Sequence, residues 1–385
     1  MSGQFGLARL EQAAADHTGL DDFGGDEWRE PFARLVDAAN TEARLSETGR
    51  AITALQFHDR LVNRLEIQDH LRGHPEIHDQ VIEAPLILAT LPRTGQTAAG
   101  WLLDRDPANR SLLRWFAKRP CPPPDPRADG VDPRIVQERA MISAMPPELL
   151  DMHLSDAEEP DECHWLLSND FRVPHEIYSM HVPGYYRWVR DDPGIRQTYE
   201  YYATQLRLLQ SRLSPARWVL KNSPHLLYLD ALHAVVPDAI FVQFHRDPAK
   251  VLASNCRLSM LLRTMYSDDV DAAEVGESML ALLTDYVARV MAFRAAGTSR
   301  PWIDIRFRDF VTDPLREIER IYDEAGFALP AAARDAMAQW VRDHPRTDLR
   351  RAKPADLAPY GLDPARVRAA FADYADAFAV EFDGI

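Results

Sequence analysis

Three clusters in this chain carry residue types suited to chemistry on an anionic group. The first is LPRTGQT, Leu91 to Thr97: Arg93 brings a fixed positive charge, Thr94 and Thr97 bring hydroxyls, and Gly95 lets a ligand approach the backbone closely. Apolar Leu86, Ile87 and Leu88 precede it as a strand, Pro92 and Gly95 break the run, and from Thr97 the spacing of Ala98, Trp101 and Leu102 predicts a helix. The free N–H groups and the dipole at such a helix start favour an anion, so the loop is expected to hold a phosphate or a sulfate ester. It is not the ATP-type loop, GxxxxGK[ST], because a single glycine is present and arginine precedes it. Taken alone, the segment is also compatible with an ordinary strand-to-helix turn.

The second cluster is PDAIFVQFHRDPAKVLASNCRL, Pro237 to Leu258. A strand from about Ala239 to Phe244 ends at Arg246, Asp247 and Pro248, and a helix starting near Pro248 carries Ser254 eight positions after the arginine. Ligands of parallel α/β sheets bind outside the carboxyl ends of the strands, so Arg93 and Arg246 would face one crevice, with the Ser254 hydroxyl in reach of the same group. An Arg246 paired with Asp247 is the plain alternative.

The third cluster could move a proton. Lys221 ends the strand WVLK, and His225 follows it by one turn. The imidazole titrates near neutral pH, as a base for a hydroxyl should. AEEPDECHWLL adds Glu158, Glu159, Asp161, Glu162 and His164. His225 and Glu162 rank level as the base, with His164 behind them as a histidine that packing alone could explain. The acidic run also fits the N-terminal charge of a helix.

Two further groupings could carry chemistry. His70, His74 and His78 would share one helix face and could ligate a metal, but Pro75 interrupts that helix and favours a solvated turn, so no metal is expected. Tyr185, Tyr186, Trp188, Tyr199, Tyr201 and Tyr202 could wall an apolar acceptor, although ordinary core packing suits their helical spacing equally.

Elements that would position these groups are readable in outline. Residues 1–80 read as a helical N-terminal cap, with EWREPFARLVDAANTEARL spaced by threes and fours. An α/β core follows over 81–345, with strands expected at Leu86 to Thr90, Trp218 to Lys221, Ile240 to Phe244 and Ile303 to Phe307. A helical insertion over about 110–215 includes CPPPDPRADGVDPR, too rich in proline for a central strand, and would shape the acceptor pocket. Residues 346–385 form a C-terminal segment expected to complete the anion site, with Arg350, Arg351 and Lys353 as contributors.

Composition sets limits. The chain has 385 residues, 46% hydrophobic and 27% charged, the profile of a soluble globular protein. A formal net charge of −15 argues against nucleic acid as a partner and requires that any anion site be a local basic island. Cys121, Cys163 and Cys256 are too few for a disulfide framework, and the opening MSGQFGLARLEQAAADHTG has no apolar signal core. No run approaches the roughly 18 apolar residues of a membrane helix, so stable membrane insertion is not expected and the cytoplasm is the expected compartment. A homo-oligomer is compatible with this composition.

LPRTGQT and HRDP, with serine eight residues after the arginine, resemble the two donor signatures of sulfotransferases that use 3′-phosphoadenosine-5′-phosphosulfate (PAPS). GLDDFG, HPEIHD, PPPDPR, PDECHWLL, WVLKNSPHLLYLDAL and DPLREIERIYDEAGF are similar, in order and spacing, to a bacterial branch of that family, so the resemblance spans nearly the whole chain. It implies a P-loop-like, three-layer α/β fold: a central parallel sheet flanked by helices, with helical N-terminal and C-terminal additions. The implied activity is in-line transfer of a sulfuryl group from PAPS to a hydroxyl of a small-molecule or lipid-like acceptor.

The resemblance also implies roles. Arg93, Thr94, Gly95, Gln96, Thr97, Arg246, Ser254, Arg350 and Arg351 would bind the donor, Arg246 and Ser254 through its 3′-phosphate. Arg93, where many relatives have lysine, and Lys221 would steady charge on the departing phosphate. Gln96 departs from the family's small hydroxyl residue, and AAGW replaces its usual bulky aliphatics. Two other readings stay open: a P-loop phosphotransferase, and a catalytically inactive relative that binds 3′-phosphoadenosine-5′-phosphate (PAP).

Overall fold

The apolar runs become five strands: β1 (Leu86–Leu88), β2 (Asn109–Ser111), β3 (Arg217–Lys221), β4 (Ile240–His245) and β5 (Ile303–Arg306). The computed structural model describes residues 4–152, 155–298, 300–344 and 356–382, so Arg350, Arg351 and Lys353 lie outside the described residues. All strand pairs are parallel, in the order β2-β3-β1-β4-β5. The sheet is buried on both faces, which is why its central strands read as unbroken apolar runs rather than alternating ones. Leu86, Leu88, Val219, Val242 and Phe244 pack on one face, and Ile87, Trp218, Leu220 and Phe241 on the other.

Helices cover both faces, giving three layers. The first face is closed by α4 (Gln96–Leu103) with helices Pro314–Ala325 and Ala331–Asp343. Helices Ile195–Gln210, Pro248–Tyr266 and Ala272–Ala296 close the second. The expected strands appear within a residue or two of their bounds, and Phe307 opens a helix instead of ending β5. The edge strand β2 was not expected, because Asn109, Arg110 and Ser111 are polar and too short a run for a pattern.

Three helices form the N-terminal part: α1 (Leu7–Thr18), α2 (Arg29–Thr41) and α3 (Glu47–Gly73). They share a core with Phe171, Met180, Val182, Tyr185 and Tyr266. Ser46 caps α3 by accepting from the Gly49 amide at 3.0 Å. A Cβ on Gly49 would sit 1.8 Å from the Tyr266 carbonyl oxygen, so only glycine lets α3 press on the end of helix Pro248–Tyr266. Beyond β2 the insertion supplies α5 (Arg114–Lys118), α6 (Pro133–Ser143), α7 (Pro147–Met152) and α8 (His164–Ser168). At the other end, helices Pro364–Ala370 and Ala372–Phe378 dock through Tyr374, whose hydroxyl lies 2.9 Å from His245 Nδ1.

Candidate active site

The chain leaves β1 toward one edge of the sheet and β4 toward the other, which opens a crevice at their carboxyl ends. The loop from β1 to α4 enters it on a fixed path. Thr90 Oγ donates to the Phe244 carbonyl at 2.9 Å and accepts from the Phe244 amide at 3.1 Å, clipping the loop onto β4. Thr94 Oγ donates to Leu91 O at 2.7 Å and lies 2.9 Å from Thr90 Oγ. The Thr94 hydroxyl expected to face a donor is therefore turned into the loop itself, and only its backbone N–H is left for a ligand.

Two residues of the loop have positive φ, Arg93 at 64° and Gly95 at 95°. For Arg93 this costs of order 1 kcal/mol, because its Cβ crowds the carbonyl. At Gly95 a Cβ would also come within 3.4–3.5 Å of the Phe310 and Phe307 rings. No side chain caps α4 at Gly95, so its first amides keep the donor capacity that suits an anion.

Cations collect at this point. Arg93 Nε donates to Ser254 Oγ at 3.2 Å, and its Nη2 donates to the Met152 carbonyl at 2.7 Å. Arg246 donates through Nη1 to the Arg93 carbonyl and lies 4.3 Å from the centre of the Phe307 ring. Burial, then the neighbouring Arg246 and Arg257, push Arg93 down to about 10, against a pull from Glu162. Packing like charges together is unfavourable, and an anion would relieve it. Arg257 was missed in the sequence although it lies three residues after Ser254, on the same helix face.

A second group sits beside the first. Lys221 Nζ lies 3.8 Å from Glu162 Oε1, and Glu162 Oε2 lies 3.8 Å from His164 Nδ1. Lys221 is 3% exposed, and its Nζ makes no hydrogen bond among the described residues. Its stem runs over Gly100 of α4, where a Cβ would stand 3.5 Å from Lys221 Cδ. Gly100 thus lies directly beneath this lysine. Gln96 is buried, and its Nε2 donates to Ser223 Oγ at 3.1 Å, tying α4 to the turn after Lys221. Thr97, on the first turn of α4, is partly exposed.

His225 feels Glu162 but is walled into the core. Its Nδ1 is 2.8 Å from the Tyr199 hydroxyl, and its ring is enclosed by Tyr199 and Tyr202 with no solvent exposure. Burial holds the imidazole at about 3, opposed only in part by Glu162. The turn Ser223–Leu227 aims the ring into the core. His164 is buried and stacks on His175, with ring centres 3.9 Å apart. Tyr185, Tyr186, Tyr199 and Tyr202 are core residues. The other acids have partners: Glu159 pairs with Arg105, Glu158 with Arg139 and Asp161 with Arg114.

Among the described residues no group of three or more His, Cys, Asp or Glu side chains could hold a metal ion. The helix bearing His70 ends at Gly73, and a short turn from Pro75 carries His78. No helix among the described residues is long and apolar enough to cross a membrane.

Fold and site together define a parallel α/β protein whose loop-to-helix junction and arginines suit an anionic substrate. The chain belongs to the sulfotransferase family, whose model, described as "Sulfotransferase family", matches residues 85–331. It superposes on the crystal structure of sulfotransferase STF9 from Mycobacterium avium with a TM-score of 0.92 and 31% identity over 100% of both chains. Against STF1 from Mycobacterium tuberculosis the TM-score is 0.86 at 31% identity, covering 97% of this chain and 100% of that one. No protein of curated function is significantly similar to it. Sulfuryl transfer is the family's chemistry.

Proposed function

We propose that this sulfotransferase takes its sulfuryl group from PAPS and moves it in line to a hydroxyl of a small-molecule or lipid-like acceptor. The observation that carries the reading is the convergence of Arg93, Ser254 and Arg246 on the mouth of the β1 and β4 crevice, with Lys221 and Glu162 alongside. Arg246 and Ser254 hold the donor's 3′-phosphate, and the loop amides with Arg93 hold the 5′-phosphate. Arg93 stays cationic through the reaction and steadies charge on the leaving phosphate, which is weakly basic and needs a cation rather than an acid. Lys221 adds a second positive charge near the sulfuryl group.

Glu162 takes the acceptor's proton as the acceptor oxygen bonds to sulfur and the bond from sulfur to the 5′-phosphate oxygen breaks, releasing PAP. What supports Glu162 over His225 is its place beside Lys221 and its electrostatic contact with Arg93, whereas His225 is enclosed and held at about 3. The residues' task is placement and charge, and none of these steps calls on a metal ion.

The test is transfer of labelled sulfuryl from PAPS to a panel of hydroxyl compounds in the presence of chelator. Labelled product is expected with the parent protein, and a kcat lower by roughly 10² to 10³ with Arg93→Ala. Product that appears only with ATP and magnesium would move the chain to phosphoryl transfer, and PAP binding without any product would mark an inactive relative.

A further inference from the structure

We propose that Arg114 is a positioning residue for the transfer step, acting through Asp161 to fix Glu162 against Lys221. The proposal rests on the reading of Glu162 as the base. Arg114 opens α5 and is 5% exposed. Its Nη1 donates to Asp161 Oδ2 at 2.8 Å and its Nε to Glu138 Oε1 at 2.6 Å, while Lys118 Nζ donates to Glu138 Oε2 at 2.8 Å. Asp161 turns its other oxygen to the Glu162 amide at 2.7 Å. The next amide, of Cys163, donates to the Lys221 carbonyl at 3.0 Å. Glu162 is thus gripped on one side by a carboxylate that Arg114 holds, and on the other by the end of β3.

The backbone supports the same connection. Arg114 N donates to Glu159 O at 3.2 Å, Trp115 N to Ala157 O at 3.0 Å and Asp161 N to Leu112 O at 2.8 Å, so the segment before Glu162 runs along the start of α5. Asp161, Arg114, Glu138 and Lys118 sum to zero charge, leaving Glu162 as the carboxylate turned to the site. A buried ion chain of this kind adds little stability over apolar residues of equal volume, whereas breaking it at one member exposes the rest to an unpaired buried charge.

Among the described residues, charged and titratable groups around Glu162 include Lys221 of β3, Arg93 of the loop, His164 of α8, His175, His225 and the adjoining Asp161. Tyr178 and the Cys163 thiol also feel it, and burial pushes both up, so they stay neutral through the working range. Asp161 is the negative member, and Arg114 is what cancels it.

The experiment measures kcat against pH, and KM for PAPS, using the best acceptor from the labelled-transfer panel. In Arg114→Met the uncancelled Asp161 should move the acid limb up by about half a pH unit or more. Misplacement of Glu162 should lower kcat at least ~10-fold with KM for PAPS within about twofold. Adding Asp161→Asn to that variant should return the limb to the parent's position. If thermal melting shows that Arg114→Met does not fold, Asp161→Asn alone carries the test and should move the limb down while lowering kcat. A limb that stays in place in a folded variant overturns the proposal while leaving Glu162 as base, provided that Glu162→Gln abolishes the limb. A limb that survives Glu162→Gln ends both.

Discussion

Arg93 Nε donates to Ser254 Oγ over 3.2 Å, joining the loop after β1 to the helix Pro248–Tyr266 through two residues 161 positions apart in sequence. The residue proposed for the leaving phosphate and one proposed for the 3′-phosphate therefore touch each other, and on the proposed reading donor binding exchanges this bond for bonds to phosphate.

Ser254→Ala removes an acceptor for Arg93 and a donor for the 3′-phosphate together. Affinity for PAP should fall about 10-fold, the worth of one charge-assisted hydrogen bond of roughly 1.4 kcal/mol. Isothermal titration measures it, and an unchanged affinity would place Ser254 outside the donor site.

Replacing either candidate base separates them. Glu162→Gln should lower kcat by roughly 10² to 10⁴ and erase the acid limb of its pH profile. His225→Gln should keep that limb, because an imidazole held at about 3 and enclosed by Tyr199 and Tyr202 is a weak base closed off from solvent. Loss of the limb in His225→Gln alone would reverse the assignment.

The strands and turns that frame this candidate site were legible from residue types, and its contacts were not. The strands around Arg93 and Arg246 announce themselves because a doubly covered parallel strand is apolar throughout, and the turn residues after them mark where it ends. The inward aim of His225 could not be read, since its place one turn after Lys221 suits the crevice and the core equally until Ser223–Leu227 sets the ring's direction. Arg257 was within reach, three residues beyond Ser254 on one helix face. Arg114 carried no signal, because its partner Asp161 is 47 positions away and only the fold joins them.

The same His225 should make stability depend on acid. Its folded value of about 3 lies below the ordinary 6.5, so between these the unfolded chain binds the extra proton; the stabilisation is complete above about 6.5 and is lost as pH falls. Going from pH 7 to pH 5 this one group should cost roughly 2 kcal/mol. Denaturant unfolding at the two pH values should show His225→Gln losing less stability than the parent by about that amount, and equal losses would mean that the ring is not buried neutral.

Donor recognition through the 3′-phosphate is the point on which the whole reading turns, and calorimetry in chelator tests it without knowing the acceptor. PAP should bind the parent protein at least ~30-fold more tightly than the same nucleotide lacking its 3′-phosphate. Arg246→Ala should remove most of that preference, about 2 kcal/mol. Equal affinities for the two nucleotides in the parent protein would show that Arg246 and Ser254 do not read the 3′-phosphate, and with that the assignment of PAPS as donor would fall.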